Sequence, residues 1–311
     1  MAGICGTDLK EYTAGPCILN AELAPITVGH EFSGEVVEPG EGITDLATGD
    51  RVAGIGYWVC GECYFCKRGM YNVCQNLEFT GLHKQGCMAE YVVMPRYSLY
   101  KLPDSVSDDA GALVEPLAVA VHAVRLGKLG LGDRAAIVGE GIIGLCTLLM
   151  AKATGASEIY VIAKHRGRGE RALAMGATKV VYLNEGNPVE TVRSLTDGLG
   201  VDVAFECVGH PDTPQLAIDL VRNVGTVIIE GVFDKQAPVD FLNVMYNQKT
   251  IIGSPIYTDE AKTAIALLAD GTVDAGGLVT SRVPLQDAVE KGFEELLNNK
   301  EDNIKVLIKV S

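Results

Sequence analysis

The sequence lacks any run of 18 apolar residues, holds a single tryptophan, and is short of basic side chains. The first absence excludes a membrane-spanning helix. The last amounts to 26 Lys and Arg against 40 Asp and Glu, a net charge of −14, which argues against nucleic acid or an anionic membrane as partner. Phosphates of a small ligand must then be met by local positive groups rather than by a global field. No low-complexity segment or short internal repeat interrupts the chain, and no secretory leader opens it, so a cytoplasmic protein is expected. Aromatics make up only 6% within a hydrophobic fraction of 48%, an ordinary globular composition. At 311 residues, about two domains with cores of their own are expected.

Cysteine is not scarce. There are nine, an odd number, and four stand in the pattern Cys60-x-x-Cys63-x-x-Cys66 with Cys74 after seven more residues. In a chain without an export leader this favours metal over disulfides. Four thiolates on one tight loop suit tetrahedral zinc, and a site with four protein ligands has no open position for chemistry, so this zinc is structural. The lobe 60–74, with Gly61, Gly69 and several polar residues, has no core of its own. Cys17, Cys87, Cys146 and Cys207 lack metal spacing and are expected to be buried or incidental.

Ala135-Ala-Ile-Val-Gly-Glu-Gly-Ile-Ile-Gly144 runs four apolar residues into Gly139, Gly141 and Gly144 with G-x-G-x-x-G spacing, Ile142 and Ile143 completing the turn. A helix-favouring run, Leu145–Lys152, and a second apolar run, Ile159–Ile162, follow. Strand, glycine turn, helix and strand form the unit that holds a dinucleotide pyrophosphate. Glycines let the backbone approach the phosphates, and the helix N-terminus offers unpaired N–H groups. Glycines alone make any tight turn; the flanking elements are what point to a nucleotide. The Glu140 side chain is expected to face solvent. Val208 and Gly209, just beyond a strand ending at Glu206, are expected to border the same cofactor.

A carboxylate about twenty residues past the glycines ordinarily reads the ribose 2′-hydroxyl of NAD. Nineteen residues past Gly144 stands Ala163, followed by Lys164-His-Arg166-Gly-Arg168. With no acid there, nothing repels a 2′-phosphate, and Lys164, Arg166 and Arg168 pair with one, so NADP(H) is expected over NAD(H). A solvated basic turn is the plainer alternative.

Residues 26–37 carry the alternation and β-branching of a strand around His30-Glu31. Glycine and proline then recur up to about 104, which indicates a small irregular β region, and 110–126 turns helical. Strand patterns at 135–138, 158–162, 179–182, 201–206, 225–230 and 249–253 alternate with helical ones at 141–154, 167–175, 188–197 and 212–221. This predicts an α/β fold with a doubly wound parallel sheet. Helices at 258–269 and 285–298 and a strand at 304–310 follow.

Cys5, His30, Glu31 and Glu115 supply one thiolate, one imidazole and two carboxylates, donor types used by a catalytic zinc that keeps one position open. Singly, each has a plainer explanation: core packing for Cys5, a hydrogen-bonded core residue for His30, a helix cap for Glu115. The motifs that contain them, Cys5-Gly-Thr-Asp8, Gly29-His-Glu31, the four-cysteine lobe and Val114-Glu-Pro-Leu117, resemble the zinc-containing medium-chain dehydrogenases. Within that family the chain is most similar to the (R,R)-2,3-butanediol dehydrogenases. The similarity covers essentially the whole chain, including Ala288–Lys300 near its end.

The resemblance implies a GroES-like β-rich catalytic domain built from 1–116 and 257–311, with a Rossmann nucleotide domain, 117–256, inserted. It implies two zinc ions per chain. One is the structural ion of Cys60, Cys63, Cys66 and Cys74. The other is catalytic, held by Cys5, His30 and a carboxylate, with Glu115 favoured as ligand and Glu31 as a neighbour able to exchange. It implies hydride transfer with NAD(P) between a vicinal diol or secondary alcohol and its hydroxyketone or ketone, of the butanediol and acetoin type. Thr7 takes the place of a hydroxyl proton relay, unless it bonds only its own turn, and a homodimer or homotetramer is implied. A polyol (sorbitol or xylitol) or L-threonine dehydrogenase, or a cofactor-binding protein without turnover, stays open as an alternative.

Three departures stand out. Lys10 occupies a place where the family often has histidine, which leaves a second relay step open. The stretch 81–91 is shorter and more polar than its counterpart; His83 is expected in solvent, with a place lining the pocket or its rim as the alternative. The motif around Cys5 also comes within a few residues of the start, so the catalytic domain is expected to be incomplete there, with unpaired strand edges.

Overall fold

The computed structural model describes residues 1–16, 19, 22 and 25–310; Cys17 lies outside them. The chain separates into two compact units, Met1–Ala118 with Tyr257–Ser311, and Val119–Ile256.

The first unit begins with β1 (Ala2–Gly3), α1 (Gly6–Ala14), β2 (Glu31–Glu35), β3 (Arg51–Gly54), β4 (Tyr57–Trp58), β5 (Glu78–Phe79), β6 (Leu99–Lys101) and α2 (Asp108–Ala112), and α3 (Val114–Gly127) starts in it and continues into the second. The strand expected over 26–37 is shorter than its apolar pattern. Gly29 takes φ +96°, outside the extended region, so β2 starts at Glu31. His30 and Glu31 therefore stand at the entry to the strand. The helical run 110–126 is also divided, with Leu113 closing α2.

The second unit carries β7 (Arg134–Val138), α4 (Ile142–Ala153), β8 (Glu158–Ala163), α5 (Arg166–Met175), β9 (Lys179–Tyr182), α6 (Pro188–Leu195), β10 (Val201–Glu206), α7 (Thr213–Leu220), β11 (Val221–Ile229), α8 (Phe241–Tyr246) and β12 (Thr250–Gly253). Its sheet has the order β12-β11-β10-β7-β8-β9, with every neighbouring pair parallel. Helices cover such strands on both faces, which is why Ala135–Val138 and Ile159–Ala163 are continuously buried rather than alternating. The strand order reverses between β7 and β10, and ligands of open α/β sheets bind outside the strand ends at such a point. There the loops after β7 and β10 come together: a Cβ added to Gly139 would stand 2.6 Å from Val208 Cγ2.

Gly144 allows α4 to close on the turn, because a Cβ there would overlap the Gly139 carbonyl oxygen. Gly144→Ala should therefore cost about 1–3 kcal/mol, read as a lower melting temperature of the ligand-free protein.

The chain then returns to the first unit through α9 (Ala261–Ala269), β13 (Val279–Pro284), α10 (Glu294–Asn298) and β14 (Lys305–Lys309). The helix expected over 285–298 resolves into a 3-10 turn, a π turn and α10. Gly292, inside the π turn, lies so close to Ile4 that a Cβ would stand 2.8 Å from its Cδ1. The main sheet runs β13-β14-β1-β2-β3-β6. β1 is paired on both sides, Gly3 lying opposite Leu307 and Glu31, and the outer strands are β13 and β6. Ala2, Ile4, Phe32, Val306 and Ile308 share one core cluster across these strands. This pairing carries Cys5 to the entry of β2.

Candidate functional site

The four-cysteine loop folds into one cluster. The sulfurs of Cys60, Cys63, Cys66 and Cys74 lie within 4.8 Å of one another, with Cys60 Sγ 3.5 Å from Cys74 Sγ and 4.0 Å from Cys66 Sγ. Four sulfurs about 2.3 Å from a tetrahedral zinc are separated by about 3.8 Å, so these spacings fit that ion. Backbone N–H groups of Cys66 and Gln75 draw the Cys63 thiol down to about 6, and burial pushes Cys66 up to about 12. Cys87, whose Sγ lies 3.8 Å from Glu31 O, and Cys146 are buried outside this cluster, and all eight described cysteines are unpaired by disulfides.

Cys5, His30 and Glu31 form a second cluster, their donor atoms again within 4.8 Å of one another. Cys5 is the N-cap of α1: its Sγ accepts from Thr7 N at 3.5 Å, and Asp8 Oδ2 answers by accepting from Cys5 N at 2.9 Å. Sulfur is not among the preferred capping acceptors, so the cap does not account for cysteine here. Asp8 is buried, with Oδ1 3.8 Å from His30 Nδ1, too far for a hydrogen bond, and neither atom has a hydrogen-bond partner. Burial raises the Asp8 carboxyl. Burial pulls the His30 imidazolium down, but Cys5 and Asp8 more than reverse this and hold it well above 6.5.

Glu31 is tied to the far end of the chain. Lys305, fully buried on β14, donates from Nζ to Glu31 Oε2 at 2.5 Å and to Ile4 O at 2.9 Å. Glu115, in the first turn of α3, stands outside the three-donor cluster. Its Oε1 accepts from Tyr257 Oη at 2.7 Å, and burial together with the charge of Glu31 raises its carboxyl to about 7. The geometry thus gathers Glu31 with Cys5 and His30, the reverse of the order expected for the two carboxylates. Thr7 lies half-buried on the same first turn of α1 as Asp8. His83 is not simply solvated: it is half-buried, and its Nδ1 accepts from Phe79 N at 3.1 Å.

In the second unit, Gly141 is the N-cap of α4, with no side-chain cap, and nothing lies within 4 Å of where its Cβ would be. The helix start beside Ile142 and Ile143 therefore faces open space, which suits an approaching pyrophosphate. Gly209 is at φ +77°, held by Glu206: Oε1 of this buried carboxylate accepts from Val208 N, Gly209 N and Thr213 Oγ1 at 2.7–2.9 Å. Ala163 is buried at the end of β8 and Lys164 is exposed. Arg166 is ion-paired with Glu185 and lies over the Tyr182 ring, and Arg168 is half-buried. The expectation for Glu140 is corrected. It is buried, because its carboxylate finds backbone partners beyond β8.

Sequence reasoning passed over Asp8, Glu206, Lys305, Tyr257 and Glu230. Asp8 had a readable signal, three residues past a cap position. A charged residue closing the apolar strand Val201–Phe205 was a signal for Glu206. Glu230 is half-buried beside Thr147, Cys207 and Glu206, accepting from Cys207 Sγ at 3.2 Å, and desolvation raises its carboxyl to about 8. A carboxyl raised in the folded state holds its proton longer than in the unfolded chain. Its contribution is therefore complete below pH 4.5 and is lost as the pH rises through about 8. Glu230→Gln should flatten this part of the pH dependence and raise the melting temperature at pH 8 relative to the unsubstituted protein. Melting curves from pH 5 to 8.5 check it.

The chain is similar to known proteins over nearly its whole length. A model described as zinc-binding dehydrogenase matches residues 143–270, and one described as alcohol dehydrogenase GroES-like domain matches 1–104. The chain is 38% identical over 319 residues to (R,R)-butanediol dehydrogenase of Bacillus subtilis (strain 168), covering 99% of this chain and 90% of that protein. It is 35% identical over 297 residues to L-threonine 3-dehydrogenase of Bacillus licheniformis, covering 94% and 85%. The crystal structure of 2R,3R-butanediol dehydrogenase from Bacillus subtilis matches with a TM-score of 0.92 at 36% identity, covering 100% of this chain and 90% of that one. A solved structure from Sinorhizobium meliloti 1021, bound to NADP, matches with a TM-score of 0.91 at 31% identity, covering 99% and 90%. The chain belongs to the zinc-binding alcohol dehydrogenases, zinc-dependent oxidoreductases that combine a GroES-like domain with a Rossmann-type nucleotide domain.

Proposed function

We propose that the chain interconverts a vicinal diol or secondary alcohol with its hydroxyketone or ketone, 2,3-butanediol and acetoin being the reference pair. The observation that carries this reading is the convergence of Cys5 with the adjacent pair His30 and Glu31, a thiol, an imidazole and a carboxylate whose donor atoms lie within 4.8 Å of one another. These three would hold a catalytic zinc, with Glu115 as the alternative carboxylate, while Cys60, Cys63, Cys66 and Cys74 would hold a structural one. The names of the relatives, butanediol and threonine dehydrogenases, support an alcohol substrate. When bound, zinc and a nicotinamide dinucleotide would supply a Lewis acid and a hydride carrier.

The chain's own residues do the positioning. Asp8 faces the buried nitrogen of His30 and sets the charge beside the ring; Lys305 balances the charge of Glu31; Tyr257 orients Glu115. Thr7 is the hydroxyl proposed to carry a proton. Gly139, Gly141, Ile142, Ile143 and Gly144 would hold the pyrophosphate, with Val208 and Gly209 along its border. The missing carboxylate at Ala163, with Lys164, Arg166 and Arg168 close behind, supports NADP(H) over NAD(H). Phe241, Leu242, Met245 and Tyr246, all exposed along α8, support a homo-oligomer. Unpaired cysteines support a reducing, cytoplasmic setting.

The test is a substrate panel of acetoin, diacetyl, sorbose, butanediol, sorbitol and L-threonine, run with each coenzyme, then after chelation and after adding zinc back. The expected result is turnover best on acetoin and butanediol, lost to the chelator and restored by zinc. Turnover confined to sorbitol and sorbose, or to threonine, would replace the substrate assignment. Full turnover in the metal-free protein would refute the reading.

A further inference from the structure

Glu140 is the one acidic residue of the glycine turn, and its carboxylate is directed away from solvent. It is 7% exposed, and its Oε1 accepts from Lys164 N at 3.1 Å and from His165 N at 2.9 Å. His165 Nδ1 lies 3.6 Å from the same oxygen and has no hydrogen-bond partner of its own. Lys164 and His165 are the two residues between the end of β8 and the start of α5, and His165 makes no side-chain cap for that helix. The end of this strand is where a doubly wound fold reads the adenosine ribose, by an acid that accepts from the 2′-hydroxyl or by groups that bind a 2′-phosphate. Ala163 supplies no acid there. The structure nevertheless has one at that corner, delivered from the glycine turn.

We propose that Glu140 is the specificity-determining residue for the ribose 2′ position, accepting from a 2′-hydroxyl and opposing a 2′-phosphate. The proposal rests on the reading that the second unit holds a nicotinamide dinucleotide. Its sign is opposite to that of the Lys164–Arg168 cluster. A phosphate at this corner would compete with Glu140 for the two backbone N–H groups and would meet a like charge; both effects weaken NADP(H) selectively. Arg166, engaged with Glu185, is not poised to offset that charge without leaving its partner. Glu140 therefore narrows whatever preference the basic residues create.

The experiment is calorimetric titration of the ligand-free protein with NAD⁺, NADP⁺, 5′-AMP and adenosine 2′,5′-bisphosphate, for the unsubstituted chain, Glu140→Gln and Glu140→Ala. Glutamine keeps the shape and an acceptor oxygen for Lys164 N and His165 N, which protects the loop, and melting temperatures report on the fold of both variants. The expected result is a shift in the ratio of the NAD⁺ and NADP⁺ dissociation constants by roughly tenfold or more toward NADP⁺ in Glu140→Gln, in the same direction for the two adenosine probes. Equal changes for both dinucleotides, or a shift toward NAD⁺, would overturn the proposal and leave Glu140 as a loop brace. Failure of the unsubstituted chain to bind either dinucleotide would overturn the cofactor reading itself, and the proposal with it.

Discussion

Cys5→Ser should lower kcat/KM on acetoin by about a thousandfold, a loss of ~4 kcal/mol of transition-state stabilisation, while the melting temperature of the metal-free protein holds or rises. The two halves of this result come from different physics. Serine is a preferred N-cap residue, so α1 keeps or improves its first turn when oxygen replaces the sulfur that accepts from Thr7 N. A neutral hydroxyl, however, is a poor substitute for a thiolate as a zinc donor. If Cys5 were present only for packing or capping, the exchange would be nearly silent in activity. Asp8→Asn should act through His30 and cost less, about 10–100-fold, as changes behind a metal-binding histidine do.

Lys305→Met should destabilise the first unit by about 3–5 kcal/mol, because it strands the buried Glu31 carboxylate without its partner. Both side chains are essentially excluded from solvent, Lys305 at 0% and Glu31 at 1%. A surface pair in the same geometry would be worth almost nothing. The control is Glu31→Gln with Lys305→Met, which removes both charges and should recover most of the loss, since a neutral pair carries no desolvation penalty. Urea denaturation of metal-free protein gives the comparison. If the single variant loses less than the double, the pair is not the source of the effect. The Ile4 carbonyl loses a hydrogen bond in both variants, so that contribution cancels.

Legibility from sequence followed distance along the chain. The β7–α4 turn and the four-cysteine loop were readable because their chemistry is local, a few residues that must adopt one spacing. The alternation of β10, α7 and β11 was readable for the same reason, although β11 starts at Val221, straight out of α7, rather than at 225. The Glu31–Lys305 pair spans 274 residues and the Glu115–Tyr257 bond 142, and no periodicity reports a partner at that range. Periodicity assigns a residue to a face. It does not say which charge waits on that face, so a lysine within the apolar run 304–310 read as strand and nothing more. Glu140 was misjudged for a related reason. Loop residues are ordinarily solvated, but two unpaired N–H groups beyond β8 supply partners that outweigh exposure.

Both donor clusters of the first unit are expected to hold zinc, and only the one at Cys5 to serve turnover. Zinc content per chain, measured by elemental analysis alongside acetoin reduction on the same samples, tests this most directly. Two zinc ions per unsubstituted chain are expected, and one ion with turnover lost in Cys5→Ser. A Cys5→Ser protein that keeps both ions and full activity would contradict this.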